Sequence, residues 1–423
     1  MITDELILYR NFKTAKLLSD INLLLGGEGD MALAHDAAGR LVTLSMDMGF
    51  QGNLWHTYLT YLLANNANAY TKAIELKGSI QGTINEVALH DMNVFYELFF
   101  YDITDIDRRF DIYCFTPLAE FKMNDEGKTF NKRIRDRICN LASSLAQSAS
   151  AEEMKSYVDN FYGEYGVGLF GLNKAFKIHE NLSDNTFSIE AIKRVEHKNL
   201  EDLVGYELQK EKLIANTEAF IKGLPANNCL LYGDAGTGKS SSVKGIMNRY
   251  YEDGLRLVEI YKHQFRFLND LMAGLKDRNY KFIIYMDDLS FEDHETEYKY
   301  LKAIIEGGLE RKPDNVLIYA TSNRRHLIHE NFGDKLDIRE HDDLHESDTV
   351  EEKLSLYHRF GMTIYFGKPT PIEFMNIVTT LAERSDIDMD TEELLRLANR
   401  WEIEHGGVSG RTARQFIDHL LST

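Results

Sequence analysis

One stretch constrains this chain more than any other: LLYGDAGTGKSS, Leu230–Ser241. An apolar run ends in Gly233, and Gly238, Lys239 and Ser240 follow at P-loop spacing, ahead of the helix-forming stretch SSSVKGIMNRYY. Each part has a physical use. Glycines let backbone N–H groups turn inward onto phosphate oxygens, and the helix that follows adds the positive end of its dipole. A lysine at 239 supplies a point charge for β and γ phosphates, and the Ser240 hydroxyl is a ligand for Mg²⁺. The loop as a whole, Gly233, Asp234, Ala235, Gly236, Thr237, Gly238, Lys239, Ser240 and Ser241, is the expected ATP cradle. Such a loop requires a strand before it and a helix after it, and so implies an α/β fold.

The second half of such a site comes about 50 residues later, at the usual spacing. In KFIIYMDDLSFED (Lys281–Asp293) an apolar strand ends in two acids. Asp287 is expected to hold Mg²⁺, and Asp288 stands where a carboxylate polarises an attacking water.

Around these motifs, short apolar runs alternate with helical patterns. The expected strands are Asn228–Tyr232, Leu255–Tyr261, Phe282–Met286, Val316–Ala320 and Thr363–Phe366. Continuous apolar strands between helices predict a five-stranded parallel sheet covered on both faces. After Pro369 and Pro371 the pattern is helical to the end, with Asp390 and Ser409 ahead of the last two helices. Before residue 164 apolar residues recur at helical spacing, as in Leu17, Leu18, Ile21, Leu24 and Leu25. A glycine-spaced segment, EYGVGLFGLNKAF, follows; it reads as a connector or as a strap on the core. The expected division is 1–163, mostly helical; 164–198, connector; 199–369, nucleotide core; and 370–423, helical lid.

Composition limits partners more than chemistry. With 67 acidic against 48 basic side chains the net charge is -19, which repels phosphate backbones at long range and disfavours unspecific nucleic-acid coating. The basic run Lys132, Arg133, Arg135 and Arg137 reads as a solvated helix face. Three scattered cysteines, Cys114, Cys139 and Cys229, have no metal-ligand spacing and fit a reducing compartment. The acidic start, MITDELILYR, is unlike a signal peptide, and no apolar run approaches the length of a membrane span. The expectation is a cytoplasmic protein.

Further segments resemble AAA+ ATPases specifically. NLEDLVGYELQK (Asn199–Lys210) is similar to the segment that walls the adenine pocket, making Val204, Gly205 and Tyr206 candidates. NVLIYATSNRRHL (Asn315–Leu327) resembles the sensor-1 strand, with Asn323 at its polar tip. EKLSLYHRFGMTIYF (Glu352–Phe366) resembles the box of the arginine finger, with Arg359 at the matching position. GVSGRTARQF (Gly407–Phe416) resembles sensor 2, with Arg411 first and Arg414 second as the matching arginine. Together with DDLSFED these motifs look like an uncharacterised bacterial AAA+ family, over about residues 165–423. In that superfamily the second acid of the strand is usually Glu; here it is Asp288, and Glu292 is the alternative. His358 stands beside the finger where that family favours an acid.

The resemblance implies an ATPase that uses Mg²⁺, with Asp288, Asn323, Arg359 and Arg411 in catalysis. It further implies a homo-oligomer built through the ATPase core, Arg359 completing a neighbour's site. The expected role is remodelling or assembly of a macromolecular client. Two other classes compete: a DNA-associated loader, and a nucleotide-gated scaffold with little turnover.

Overall fold

The structure is a computed structural model that describes residues 2–10, 12, 15–123, 131–181, 183–193, 195–276, 278–291, 295, 297–306, 312–323, 357 and 359–422. Its contacts divide the chain into two compact units, Met1–Asn173 and Lys174–Thr423.

The first unit is helical, as its 3.6-residue periodicity requires. Long helices at Met31–Met48, Leu54–Asn65, Ile84–Phe100 and Ala151–Tyr165 enclose one core holding Trp55, Phe95, Phe99 and Tyr162. Two of its buried polar groups show the pairing that burial favours. The Trp55 indole N–H donates to the Leu98 carbonyl at 2.7 Å. The fully buried Asp91 carboxylate accepts the N–H groups of Ile7, Leu8 and Tyr9.

The second unit is a three-layer α/β core with a helical lid. Its strands are β1 (Ala175–Asn181), β2 (Thr186–Ala191), β3 (Cys229–Gly233), β4 (Leu255–Glu259), β5 (Lys281–Met286), β6 (Val316–Ser322) and β7 (Met362–Phe366). They form one sheet in the order β2-β1-β4-β5-β6-β3-β7. Every neighbouring pair is parallel except β1 with β2. The five expected strands are β3 to β7.

The sheet has seven strands, where the sequence predicts five. The extra pair is a hairpin within the segment 164–198, the one read as connector or strap. Its first strand pairs with β4, and its second, β2, alternates exposed and half-buried positions as a half-covered edge should. The glycines just before it obscure that short alternation. Further upstream, Gly168–Leu172 is helical and belongs to the first unit.

Strand alternation explains why both faces are covered. Ile283, Tyr285, Leu317 and Tyr319 join Leu213, Phe220, Val243 and Ile246, from the helices Glu207–Ile221 and Lys239–Tyr250, in one core. Phe282, Ile284 and Met286 point the other way and are buried too.

The lid consists of three helices, Pro371–Arg384, Thr391–Glu404 and Gly410–Ser422. Its first helix starts at a capping box: Thr370 and Glu373 each satisfy the other's backbone N–H, and Pro371 occupies the first turn. Asp390 caps the second helix and the Ser409 hydroxyl accepts the Thr412 N–H. Phe374, Val378, Leu394, Ala398, Phe416 and Ile417 form its own core. Among the described residues no helix is long and apolar enough to cross a membrane.

Because the lid has a core of its own, Phe374→Ala should loosen it locally by about 3 kcal/mol or more. Hydrogen exchange should then lose protection across 371–422, with β3 to β6 unchanged.

Candidate functional site

The site lies at the carboxyl ends of the parallel strands, where an open α/β sheet leaves a crevice. A cavity of about 610 Å³ is lined there by the P-loop, the ends of β5 and β6, the segment before Glu207, and the first and third lid helices.

Gly233 ends β3 at φ +134, a conformation that L side chains rarely adopt, and an added Cβ would collide with the Phe366 carbonyl on β7. The next residue is tied to the same strand: Asp234 N–H donates to Phe366 O at 3.0 Å, and its carboxylate accepts the Lys368 N–H at 3.0 Å. Ala235, Gly236, Thr237, Gly238, Lys239, Ser240 and Ser241 line the cavity, whereas Gly233 and Asp234 anchor the loop behind it. At the N-terminus of the Lys239–Tyr250 helix, Gly238 takes φ +94, with Leu203 packed where a side chain would stand.

Lys239 folds back over the loop. Its ammonium donates to Asp234 O at 2.6 Å and Gly233 O at 3.1 Å. The side chain is 5% exposed, and burial pushes its pKa below the ordinary range despite the nearby charges of Asp234, Asp288 and Asp287.

Asp287 and Asp288 follow β5. Three hydroxyls converge on one Asp287 oxygen: Thr321 at 2.6 Å, and Tyr285 and Ser240 at 2.7 Å each. Burial opposes ionisation of this carboxyl, yet the Thr321, Tyr285 and Ser240 hydroxyls outweigh it and hold the pKa below the usual value. Asp288 adopts φ +51, its N–H donates to the Thr321 hydroxyl at 3.0 Å, and its carboxylate accepts from Asn323 at 2.7 Å. Ser240 and Asp287 thus present hard oxygen donors at one point, which suits Mg²⁺.

The far wall is more apolar. Val204 and Tyr206 line it together with Ile377 and Leu381 of the lid, and Gly205 does not. Val204 packs into the lid core. The Tyr206 hydroxyl donates to Gly367 O at 2.8 Å, and its ring lies 5.3 Å from that of Phe366. Burial, with Glu373, Asp234 and Tyr365 nearby, pushes its phenol up to about 12.

Arg411 and Arg414 both line the cavity from the third lid helix. The Arg411 N–H donates to the carbonyl of Gly236 at 3.2 Å, joining lid to loop. Arg359 does not line the cavity. It precedes β7, which runs parallel to β3, so it sits at the end of the sheet away from the P-loop. A five-residue strand spans roughly 15 Å. Glu292 and His358 lie outside the described residues, as do 324–327 of the sensor-like strand and 352–356 of the finger-like box.

Sequence reasoning missed Thr321 and Tyr285. A polar residue inside a strand as apolar as VLIYATS is the one signal that points to Thr321.

A family model described as "Protein of unknown function (DUF815)" matches residues 172–423. The replication factor C large subunit of Staphylothermus marinus is 37% identical over 75 residues. Those residues are 18% of this chain and 17% of that protein's length. A Thermotoga maritima RuvB variant superposes with a TM-score of 0.38 at 16% identity, over 53% of this chain and 66% of that one. The FIGL-1 AAA domain in complex with ADP gives 0.36 at 17%, over 52% and 72%.

The Gly233 geometry makes a prediction. Gly233→Ala should destabilise the second unit by about 2 kcal/mol or more, since both φ and the Phe366 backbone resist the methyl group. Chemical denaturation should register this without any ligand.

Proposed function

This chain belongs to the DUF815 family, and we propose that the region it shares with that family, residues 172–423, binds ATP with Mg²⁺ and hydrolyses it to drive remodelling or assembly of a macromolecular client. The observation that carries the reading is the convergence of Lys239, Ser240, Asp287, Asp288 and Asn323 around one cavity.

In this reading the triphosphate lies across the N-terminus of the helix that begins at Lys239. The loop N–H groups and the helix dipole favour its charge there. Lys239 exchanges its two carbonyl partners for β and γ oxygens. The base rests among Val204, Tyr206, Ile377 and Leu381. Ser240 and Asp287 would hold Mg²⁺, which when bound would supply positive charge against the phosphates. Asp288 orients the attacking water, and Asn323 fixes the Asp288 carboxylate while offering an amide to the γ-phosphate. Arg411, with Arg414 beside it, adds positive charge from the lid, so that lid position and phosphate occupancy depend on each other.

Arg359 acts on a neighbouring copy. Its absence from the lining of its own cavity supports this. The helical unit, Met1–Asn173, precedes the ATPase region, and its proposed role is to hold the client. The acidity of the chain, -19 in all, favours a protein client over a nucleic acid. Hydrolysis stimulated by DNA would reverse that order.

Calorimetry with Mg·ATP, turnover and solution mass test the proposal together. Lys239→Ala should lose ATP binding by tenfold or more. Arg359→Ala should bind ATP like the wild type but turn over on the order of 10³-fold more slowly. Mixing Arg359→Ala with Asp288→Asn should restore part of the activity, because hybrid interfaces pair an intact site with an intact finger. No heat from Mg·ATP with the wild type would end the nucleotide reading, and absence of rescue would end the finger's action in trans.

A further inference from the structure

Resting on the nucleotide reading above, we infer that Thr321 is a positioning residue that ties Asp287 and Asp288 into one unit, so that one hydroxyl sets both the metal-holding and the water-orienting acid.

Thr321 lies near the end of β6, a strand buried along its whole length, and is itself 1% exposed. A hydroxyl in such a strand destabilises the fold unless it is hydrogen-bonded. This one is used twice. Its proton goes to the Asp287 carboxylate at 2.6 Å, and its oxygen accepts the Asp288 N–H at 3.0 Å. A hydroxyl has a single proton and two lone pairs. With the proton committed to one acid and a lone pair to the next residue, the rotor has one orientation that serves both. The Thr321 backbone carbonyl also accepts the Leu289 N–H at 2.7 Å. Three consecutive residues after β5 are therefore held by one residue of β6.

The strand register makes this possible. Tyr285 pairs with Tyr319 and Met286 with Ala320, so the next step brings Asp287 alongside Thr321. The second acid needs such support, because Asp288 stands at φ +51, where a non-glycine backbone is strained. Asn323 holds its carboxylate, and Thr321 holds its backbone. Tyr285 is the internal contrast: its hydroxyl reaches Asp287 at 2.7 Å, and none of its described hydrogen bonds reaches Asp288.

The test compares wild type, Thr321→Val, Thr321→Ser and Tyr285→Phe by three measurements. Amide exchange without nucleotide reads the Asp288 and Leu289 N–H groups. Calorimetry reads ATP affinity with Mg²⁺ and with a chelator, and turnover is taken at saturating Mg²⁺. Thr321→Val should speed exchange at Asp288 and cut the Mg²⁺-dependent gain in ATP affinity roughly tenfold. It should also lower kcat tenfold or more, while ATP affinity in chelator stays within about twofold. Thr321→Ser should restore all three. Tyr285→Phe should reduce the Mg²⁺-dependent gain, leave Asp288 exchange alone, and lower turnover less than Thr321→Val. Thr321→Ala repeats the comparison should valine pack badly. The inference is overturned if Thr321→Val keeps wild-type kcat and Asp288 exchange, if serine fails to rescue, or if Tyr285→Phe reproduces every loss. A wild type that binds no ATP even in chelator removes the nucleotide reading itself, whereas wild-type binding with an indifferent Thr321→Val removes only this role.

Discussion

A buried ammonium at the mouth of β3 sets the terms for the rest of the second unit. Lys239 has left water and donates to two main-chain carbonyls of its own loop. Carbonyl dipoles compensate a desolvated cation only in part, which is why burial lowers its pKa. The loop around it offers N–H groups at a helix N-terminus, again a positive end. A buried cation beside a helix N-terminus favours an anion with several oxygens. The glycine conformations, the Phe366 contact and the Leu203 packing all hold the loop in the shape that keeps this cation covered.

The negative half of the site has a matching logic. Asp287 could carry its charge at that depth only with donors, and three hydroxyls from the Lys239–Tyr250 helix, β5 and β6 supply them. Parallel neighbours in the order β5-β6-β3 end at the same edge, so the loop after β3 and the acids after β5 meet without any long connection. The sheet order, more than any single residue, brings a cation, a hydroxyl and two carboxylates to one face.

How far this was legible from residues alone follows from how local each signal is. The P-loop, the acid pair after an apolar strand, and the lid caps are contiguous patterns, and strands β3 to β7 stood out as apolar runs. Thr321 and Tyr285 were invisible as site residues because their meaning lies in register. Thr321 meets Asp287 across a strand pair, 34 positions away in the chain, and no periodicity within one segment reveals which residue of β6 stands opposite which of β5. The β1–β2 hairpin escaped for a related reason: six or seven residues of polar-apolar alternation after a glycine-spaced run resemble a linker until the partner strand is known. Gly205 was grouped with its neighbours by motif, yet only Val204 and Tyr206 have side chains that reach the cavity.

The lid completes the argument about what the site can transmit. Val204 packs against the lid core although it lies in the segment that opens the nucleotide core, and the Arg411 N–H reaches the P-loop carbonyl of Gly236 from the lid's last helix. The lid therefore touches the cavity at its apolar end and at its P-loop end. A ligand that fills both ends would bind best at one lid angle, and loss of its terminal phosphate would remove the preference at the arginine end alone. Such a differential contact is what allows a chemical step to shift a mechanical equilibrium. A lid that gripped only the base would hold substrate and product equally well and could move nothing.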